Sequence, residues 1–289
     1  MDIIENEYLI ASFRKKGAEL VSLKSKETDT EYILQVSEDS WLRSSPVLFP
    51  IVGCLNNNTY RHKGKEYTMY IHGFANCQEF EVVSHSTNRI EYMLESNEKY
   101  KHFYPFEFKL ILYYELNGKK LTVGYKVINI SDETMYFSIG AHPAFNCPID
   151  NHDRNEYYLR FKGTDRLDRS IIDMSCGLLK TEKEYIDLQE NSILSIDDHL
   201  FEKDALVIEN GQTYEVSILK PNKTPYVTVQ FDAELFGIWS LKDKKSFVCI
   251  EPWYGRCDKI GFDGELKDRE WSNSLLPNEE FNKEYYINV

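Results

Sequence analysis

Three short stretches of the sequence each set one titratable side chain among apolar, aromatic and glycine residues. They are Ile71-His72-Gly73-Phe74-Ala75, Ser138-Ile139-Gly140-Ala141-His142-Pro143-Ala144-Phe145 and Phe247-Val248-Cys249-Ile250-Glu251-Pro252-Trp253-Tyr254-Gly255. Such surroundings strip water from the titratable group and move its pKa, as proton-transfer catalysis requires. A carboxylate paired with an imidazolium can remove one proton while delivering another near neutral pH. Glu251, His142 and His72 are therefore the candidates for acid–base chemistry.

Each also has a purely structural reading. His72 could be a core histidine bonded to a backbone carbonyl. His142, just before Pro143, could belong to a strand-end turn. Glu251 could be half of a structural ion pair, since an unpartnered carboxylate at the end of an apolar strand is costly. Two histidines and a glutamate could also ligate a metal, and their spacing neither favours nor excludes this. Other familiar sites are missing from the sequence. There is no Gly-x-Gly-x-x-Gly, Walker A, Gly-x-Ser-x-Gly or His-Glu-x-x-His pattern.

The elements that must position these residues read as strands. Leu121, Val123, Tyr125 and Val127 alternate with Thr122, Gly124 and Lys126, and Ile90, Tyr92 and Leu94 alternate with Glu91 and Met93. This period of two marks half-buried strands of an antiparallel sheet. Asn117-Gly118 lies between Leu110–Leu116 and Leu121–Val127, and Asn210-Gly211 between Ala205–Ile208 and Tyr214–Leu219. Asn-Gly accepts positive φ at both residues, so both sites are expected to be hairpins. Lys63-Gly64-Lys65 joins Tyr60–His62 to Glu66–Met69 in a similar way. Helical turns are expected only near Asp39–Arg43 and Glu98–His102. With no internal repeat and no linker, residues 1–289 read as one all-β domain of packed antiparallel sheets.

The 289 residues carry 34 Lys and Arg against 47 Asp and Glu, a net charge of −13. That argues against nucleic acid or an anionic membrane as a partner. No run of 18 apolar residues occurs, and Met1–Ile10 carries Asp2, Glu5 and Glu7 where a signal peptide has basic residues. The six cysteines are scattered, with no Cys-x-x-Cys pair, and read as reduced thiols of a cytoplasmic protein. Three glycosylation sequons, at Asn57, Asn129 and Asn222, carry little weight in that setting.

Five segments together resemble the aldose 1-epimerase (galactose mutarotase) superfamily, and within it the LacX-like branch. They are Pro46-Val47-Leu48-Phe49-Pro50-Ile51-Val52-Gly53, His72-Gly73-Phe74-Ala75, Gly140-Ala141-His142-Pro143-Ala144-Phe145, Gly237-Ile238-Trp239-Ser240 and Cys249-Ile250-Glu251-Pro252-Trp253-Tyr254-Gly255. They occur in the family's order and span most of the chain, and the combination is specific. The resemblance implies a large antiparallel β-supersandwich and a cofactor-free, metal-free reaction at the anomeric carbon of a sugar. It implies that Glu251 takes the proton from the O1 hydroxyl and His142 protonates the ring oxygen. His72 would bind the sugar, and Asp204 would bind its hydroxyls. Apart from the resemblance, Phe145, Trp239 and Trp253 could offer flat apolar walls to the C–H face of a sugar, or could each be ordinary core.

Two positions depart from the family pattern. Relatives usually carry Arg where this chain has Cys54, and many carry Arg where it has Asn76. Arg presents a fixed fork of donors to oxygen-rich ligands, so its loss argues against an anionic substrate. Asn76 is kept with Asp204 and Trp253 among the substrate-binding candidates. Arg43, Arg61 or Arg256 could replace the missing groups in space, with Arg256 the best placed in sequence. The expected activity is an isomerase that interconverts the α and β anomers of a free aldose. The alternatives are a hexose-6-phosphate 1-epimerase and a sugar-binding protein without catalysis. The oligomeric state is not legible in the sequence.

Overall fold

Strand-forming alternation accounts for most of the architecture. The computed structural model describes residues 1–37, 40–197, 199–242 and 246–289. Among them, every strand pairing within the sheets is antiparallel. Helix is limited to 3-10 turns of three residues. One such turn, Tyr100–His102, falls in the expected stretch. No helix forms at residues 40–43, and Asp39 lies outside the described residues.

Two large sheets dominate. A nine-stranded sheet runs from Ile193–Ser195 at one edge to Glu81–His85 at the other, with Glu280–Asn288, Lys120–Asn129 and Phe108–Asn117 near its middle. In Phe108–Asn117 every second residue, Phe108, Leu110, Leu112, Tyr114 and Leu116, is buried. The eight-stranded sheet holds Leu206–Ile208, Leu235–Trp239, Phe247–Tyr254, Ile139–Ala141 and Val47–Leu48 in that spatial order, and Ala144–Asn146 also pairs with Phe247–Tyr254. The largest apolar cluster draws on both sheets, from Ile4 to Ile287.

The turn signals divide. The Asn117-Gly118 hairpin forms one residue later than expected, with Asn117 paired to Lys120 and Gly118-Lys119 in the turn, and Lys63-Gly64 closes the hairpin of Thr59–His62 with Lys65–Thr68. Asn210-Gly211 does not close a hairpin. Leu206–Ile208 pairs within the eight-stranded sheet, whereas Glu215–Leu219 pairs within the nine-stranded one. Both turn residues take the left-handed conformation as expected, at φ 69° and 61°. The Gly211 amide donates to Glu234 O at 2.9 Å, and the Thr213 hydroxyl donates to Lys162 O at 2.8 Å. These contacts carry the chain from one sheet to the other.

Phe247–Tyr254 is the exception to half-burial, since all eight of its residues are buried. Val248, Ile250 and Tyr254 point into the core between the sheets. The intervening Phe247, Cys249, Glu251 and Trp253 must then point to the opposite face. There Trp253 joins Leu48, Val52, Val207 and Leu235 in a second apolar cluster. The alternation that builds the core therefore also sets Glu251 on the outer face of the sheet.

Candidate active site

Glu251 lies on the wall of a cavity of about 290 Å³ on that outer face. The carboxylate is 1% exposed. Among the described residues, neither of its oxygens has a hydrogen-bond partner, and neither does Trp253 Nε1 or His142 Nδ1. Buried polar atoms are normally satisfied, so several orphans around one cavity mark a place where a polar ligand completes the bonding. Burial pushes the Glu251 pKa well up. The Trp253 indole opposes that shift, and the negative charge of Asp204 adds to it.

His142 follows the strand Ile139–Ala141 and is held there by its amide, which donates to Pro46 O at 3.1 Å. Its Nε2 stands 3.3 Å from Glu251 Oε1. Burial drives its pKa well below the usual imidazole range, and His72 adds to that shift. Both shifts favour the uncharged form, a protonated Glu251 beside a neutral His142, and the 3.3 Å separation lets one proton pass between them.

His72 reaches the cavity through strained backbone. It is the third residue of a turn in which the Gly73 amide donates to Tyr70 O at 3.0 Å, and its φ is 63°. Gly73 continues with a φ of 71°, and a Cβ there would meet Phe49 O at 2.2 Å, so only glycine fits. His72 Nδ1 accepts the Gly53 amide at 3.1 Å. A neutral His72 therefore carries its proton on Nε2. Burial lowers its pKa to about 4, so the neutral form prevails near pH 7. The His72 and His142 rings meet edge-on at 5.7 Å.

Asp204 also lines the cavity. It has a left-handed φ of 64°, and its Oδ1 accepts the Ala205 amide at 2.9 Å. Trp239 and Trp253 line it as well. Trp253 lies across the glycines of the two neighbouring strands. A Cβ on Gly237 would meet its ring at 2.4 Å, and one on Gly140 at 2.8 Å. Gly237→Ala is expected to force the indole into the cavity, at a cost of about 1–3 kcal/mol in stability. The check is a thermal melt together with a sugar titration, and a variant as stable and as good at binding as the parent would contradict this packing.

Three sequence expectations need correction. Phe145 is no cavity wall, because it pairs with the core-facing Val248 and is fully buried between the sheets. Arg256 does not replace the missing arginines, because its guanidinium is buried away from the cavity. It donates to Glu209 at 2.7 Å, to Cys257 O at 2.8 Å and to Glu270. Arg61 sits on the hairpin opposite Glu66. Cys54 does line the cavity, beside Gly177. Asn76 and Arg43 lie together in an adjoining recess.

Sequence reasoning missed Trp41. Its ring lies over His142 at 4.5 Å and 33°, and it also packs on Trp239 and Phe247. The available signal was a Trp-Leu pair, Trp41-Leu42, in the otherwise polar stretch Ser37–Ser45. It also missed Cys249. Among the described residues, Cys249 Sγ, a His142 nitrogen and a Glu251 oxygen lie within 4.8 Å of one another, a spacing that could hold a metal ion. Burial and the Glu251 charge hold the Cys249 thiol well above its usual pKa, which disfavours the thiolate that metal binding requires.

The sequence profile of the family described as aldose 1-epimerase matches residues 3–267. The plasmid-encoded protein LacX of Lactococcus lactis subsp. lactis is 30% identical over 294 residues, covering 99% of this chain and 98% of the relative. A galactose mutarotase related enzyme from Lactobacillus acidophilus superposes with a TM-score of 0.93 at 35% identity, covering 99% of this chain and 96% of the other. A galactose mutarotase-like protein from Lactobacillus casei superposes with a TM-score of 0.91 at 26% identity, covering 100% and 99%. The fold is the antiparallel β-supersandwich of these proteins, and the chain belongs to the aldose 1-epimerase family.

Proposed function

We propose that the protein is a mutarotase that interconverts the α and β anomers of a free aldose. The observation that carries this reading is the buried Glu251–His142 pair, 3.3 Å apart, with unsatisfied polar atoms at a cavity of monosaccharide scale. O1 and the ring oxygen of an aldopyranose share one carbon, so two adjacent side chains can serve both. With the proton of the pair on His142, the Glu251 carboxylate takes the O1 proton, and the O–H electrons form the C1=O1 bond. The C1–O5 bond breaks with its electrons on O5, which takes a proton from His142. The open aldehyde rotates about C1–C2, and the reverse transfers close the ring on the other face. Each positioned group is expected to contribute about 10²–10⁴-fold.

His72 offers its Nε2–H to the ring oxygen as charge develops there. Asp204 accepts from sugar hydroxyls, and Trp239 and Trp253 face the apolar side of the ring. The two side chains meet the whole proton inventory, so the scheme uses no cofactor. Six free thiols suit a reducing cytoplasm, and a net charge of −13 suits a small neutral substrate rather than nucleic acid or membrane. Among the described residues, no helix is long and apolar enough to cross a membrane.

Polarimetry of freshly dissolved α-D-glucose and α-D-galactose tests the reading directly. Acceleration of anomer exchange, undiminished in excess EDTA, is the expected result. Failure to accelerate either sugar would count against the reading, and loss of the rate in EDTA would move the chemistry to an ion held by His142, Cys249 and Glu251.

A further inference from the structure

The catalytic cavity does not end at the histidines. Beyond them lies a recess of about 680 Å³, more than twice the size of the cavity, and the two share Trp41, Ile71, His72 and His142 as a common wall. The turn from Tyr70 to Gly73 serves both spaces. It places His72 in the cavity and leaves Tyr70 and Ile71 at the rim of the recess, 75% and 52% exposed. These two large side chains offer apolar surface to a ligand at the mouth of the cavity. Polar capacity is present but carries little charge. Arg43 and Asn76 line the recess, and among the described residues no carboxylate pairs with Arg43. Among the described residues, the hydrogen bond that Arg43 donates runs to Cys77 Sγ, at 3.5 Å, and the Asn76 side-chain carbonyl accepts from the same thiol at 2.9 Å.

We infer that the recess is a second sugar subsite and that the preferred substrate is a 6-O-glycosyl aldose, a reducing disaccharide with a 1→6 linkage. This rests on the mutarotase reading. The reaction needs a free anomeric hydroxyl, so any second sugar must be attached elsewhere on the ring. His142 faces the ring oxygen. That oxygen is bonded to C5, and C5 carries C6. A substituent on O6 therefore leaves the ring on the His142 side, where the recess opens. The C–H face of the distal sugar rests on the Tyr70 ring, and its hydroxyls meet the Arg43 guanidinium and the Asn76 amide. A phosphate on O6 fits less well, because Arg43 is the one full-time cation among the residues that line the recess.

The test compares anomer exchange of isomaltose and melibiose with that of glucose and galactose, with glucose 6-phosphate alongside. Glucose is the reducing ring of both disaccharides, and the expected kcat/KM is about tenfold higher for each of them than for glucose, a difference of about 1.4 kcal/mol. Tyr70→Ala and Asn76→Ala should each bring the disaccharide-to-hexose ratio down towards one. A ratio near one in the wild type, a preference that survives both substitutions, or faster turnover of glucose 6-phosphate than of isomaltose would overturn the subsite. Binding to the Glu251→Gln protein, followed by tryptophan fluorescence, separates the two readings. If no sugar is turned over but isomaltose binds more tightly than glucose, the subsite stands and the catalytic reading falls. Equal affinity for the two sugars removes the subsite whatever the activity.

Discussion

Replacing Glu251 with Gln is expected to slow anomer exchange by about 10²–10⁴-fold while leaving the protein at least as stable as its parent. On the proposed mechanism, the loss follows from removing the base that takes the O1 proton. The stability follows from burial, because the carboxylate is 1% exposed and its polar neighbours, His142 Nε2 at 3.3 Å and the Trp253 indole, leave its pKa well above the usual carboxylate range. A charge in that position costs free energy that a neutral amide of the same shape does not. The sign with pH is definite. Burial raises the folded-state pKa above the unfolded value. The associated stability is therefore present below the unfolded value and is lost as pH rises through the folded one. Gln does not titrate, so the gap in melting temperature should widen in the variant's favour from pH 5 to pH 8. A variant that kept its rate, or that melted well below the parent at pH 8, would show that Glu251 is instead a partnered structural residue.

His142→Asn should lose activity on a similar scale, and the double variant with Glu251→Gln should be little worse than the weaker single one, because the pair works as a unit. The same coupling shapes the pH profile. A second proton on the pair creates a buried cation beside His72, which burial opposes, so the acid limb lies below the usual imidazole range. Loss of the last proton leaves a buried anion near Asp204, so the alkaline limb lies above the usual carboxylate range. A bell with a broad plateau is therefore expected, and His142→Asn should reduce it to a single limb that rises as Glu251 loses its proton. Additive losses in the double variant, or rates independent of pH, would dissolve the pairing.

Much of this site could be read from single residues, because local chemistry chose them. Glu251, His142 and His72 each stood out as a titratable group in apolar company, and the structure brings all three to one cavity with Asp204 and Trp253. What sequence could not supply was the direction and distance of contacts. Phe145 and Trp239 look alike as motif aromatics, but strand alternation buries the first between the sheets and turns the second outwards. Arg256 follows Glu251 closely in sequence, yet its partner Glu209 lies 47 residues away. Asn210-Gly211 forms its turn as expected, but which sheet receives the next strand depends on contacts outside the turn. Trp41 arrives from a loop with no periodicity to mark it.

The placement of the reacting groups on doubly buried sheet has a further consequence. Glu251 belongs to a strand with no exposed residue, and His142 sits at the end of the strand beside it. Asp204 and His72, by contrast, reach the cavity from left-handed turn positions at its rim. Local opening events reach turns long before central strands. Mild heat or denaturant should thus erode affinity for the sugar first, showing as a rising KM. Loss of the His72 contact should lower kcat by its own share, while the part supplied by the Glu251–His142 pair should persist until the sheet itself comes apart. On the proposed mechanism, that remaining turnover would report global unfolding, and affinity would report local fraying.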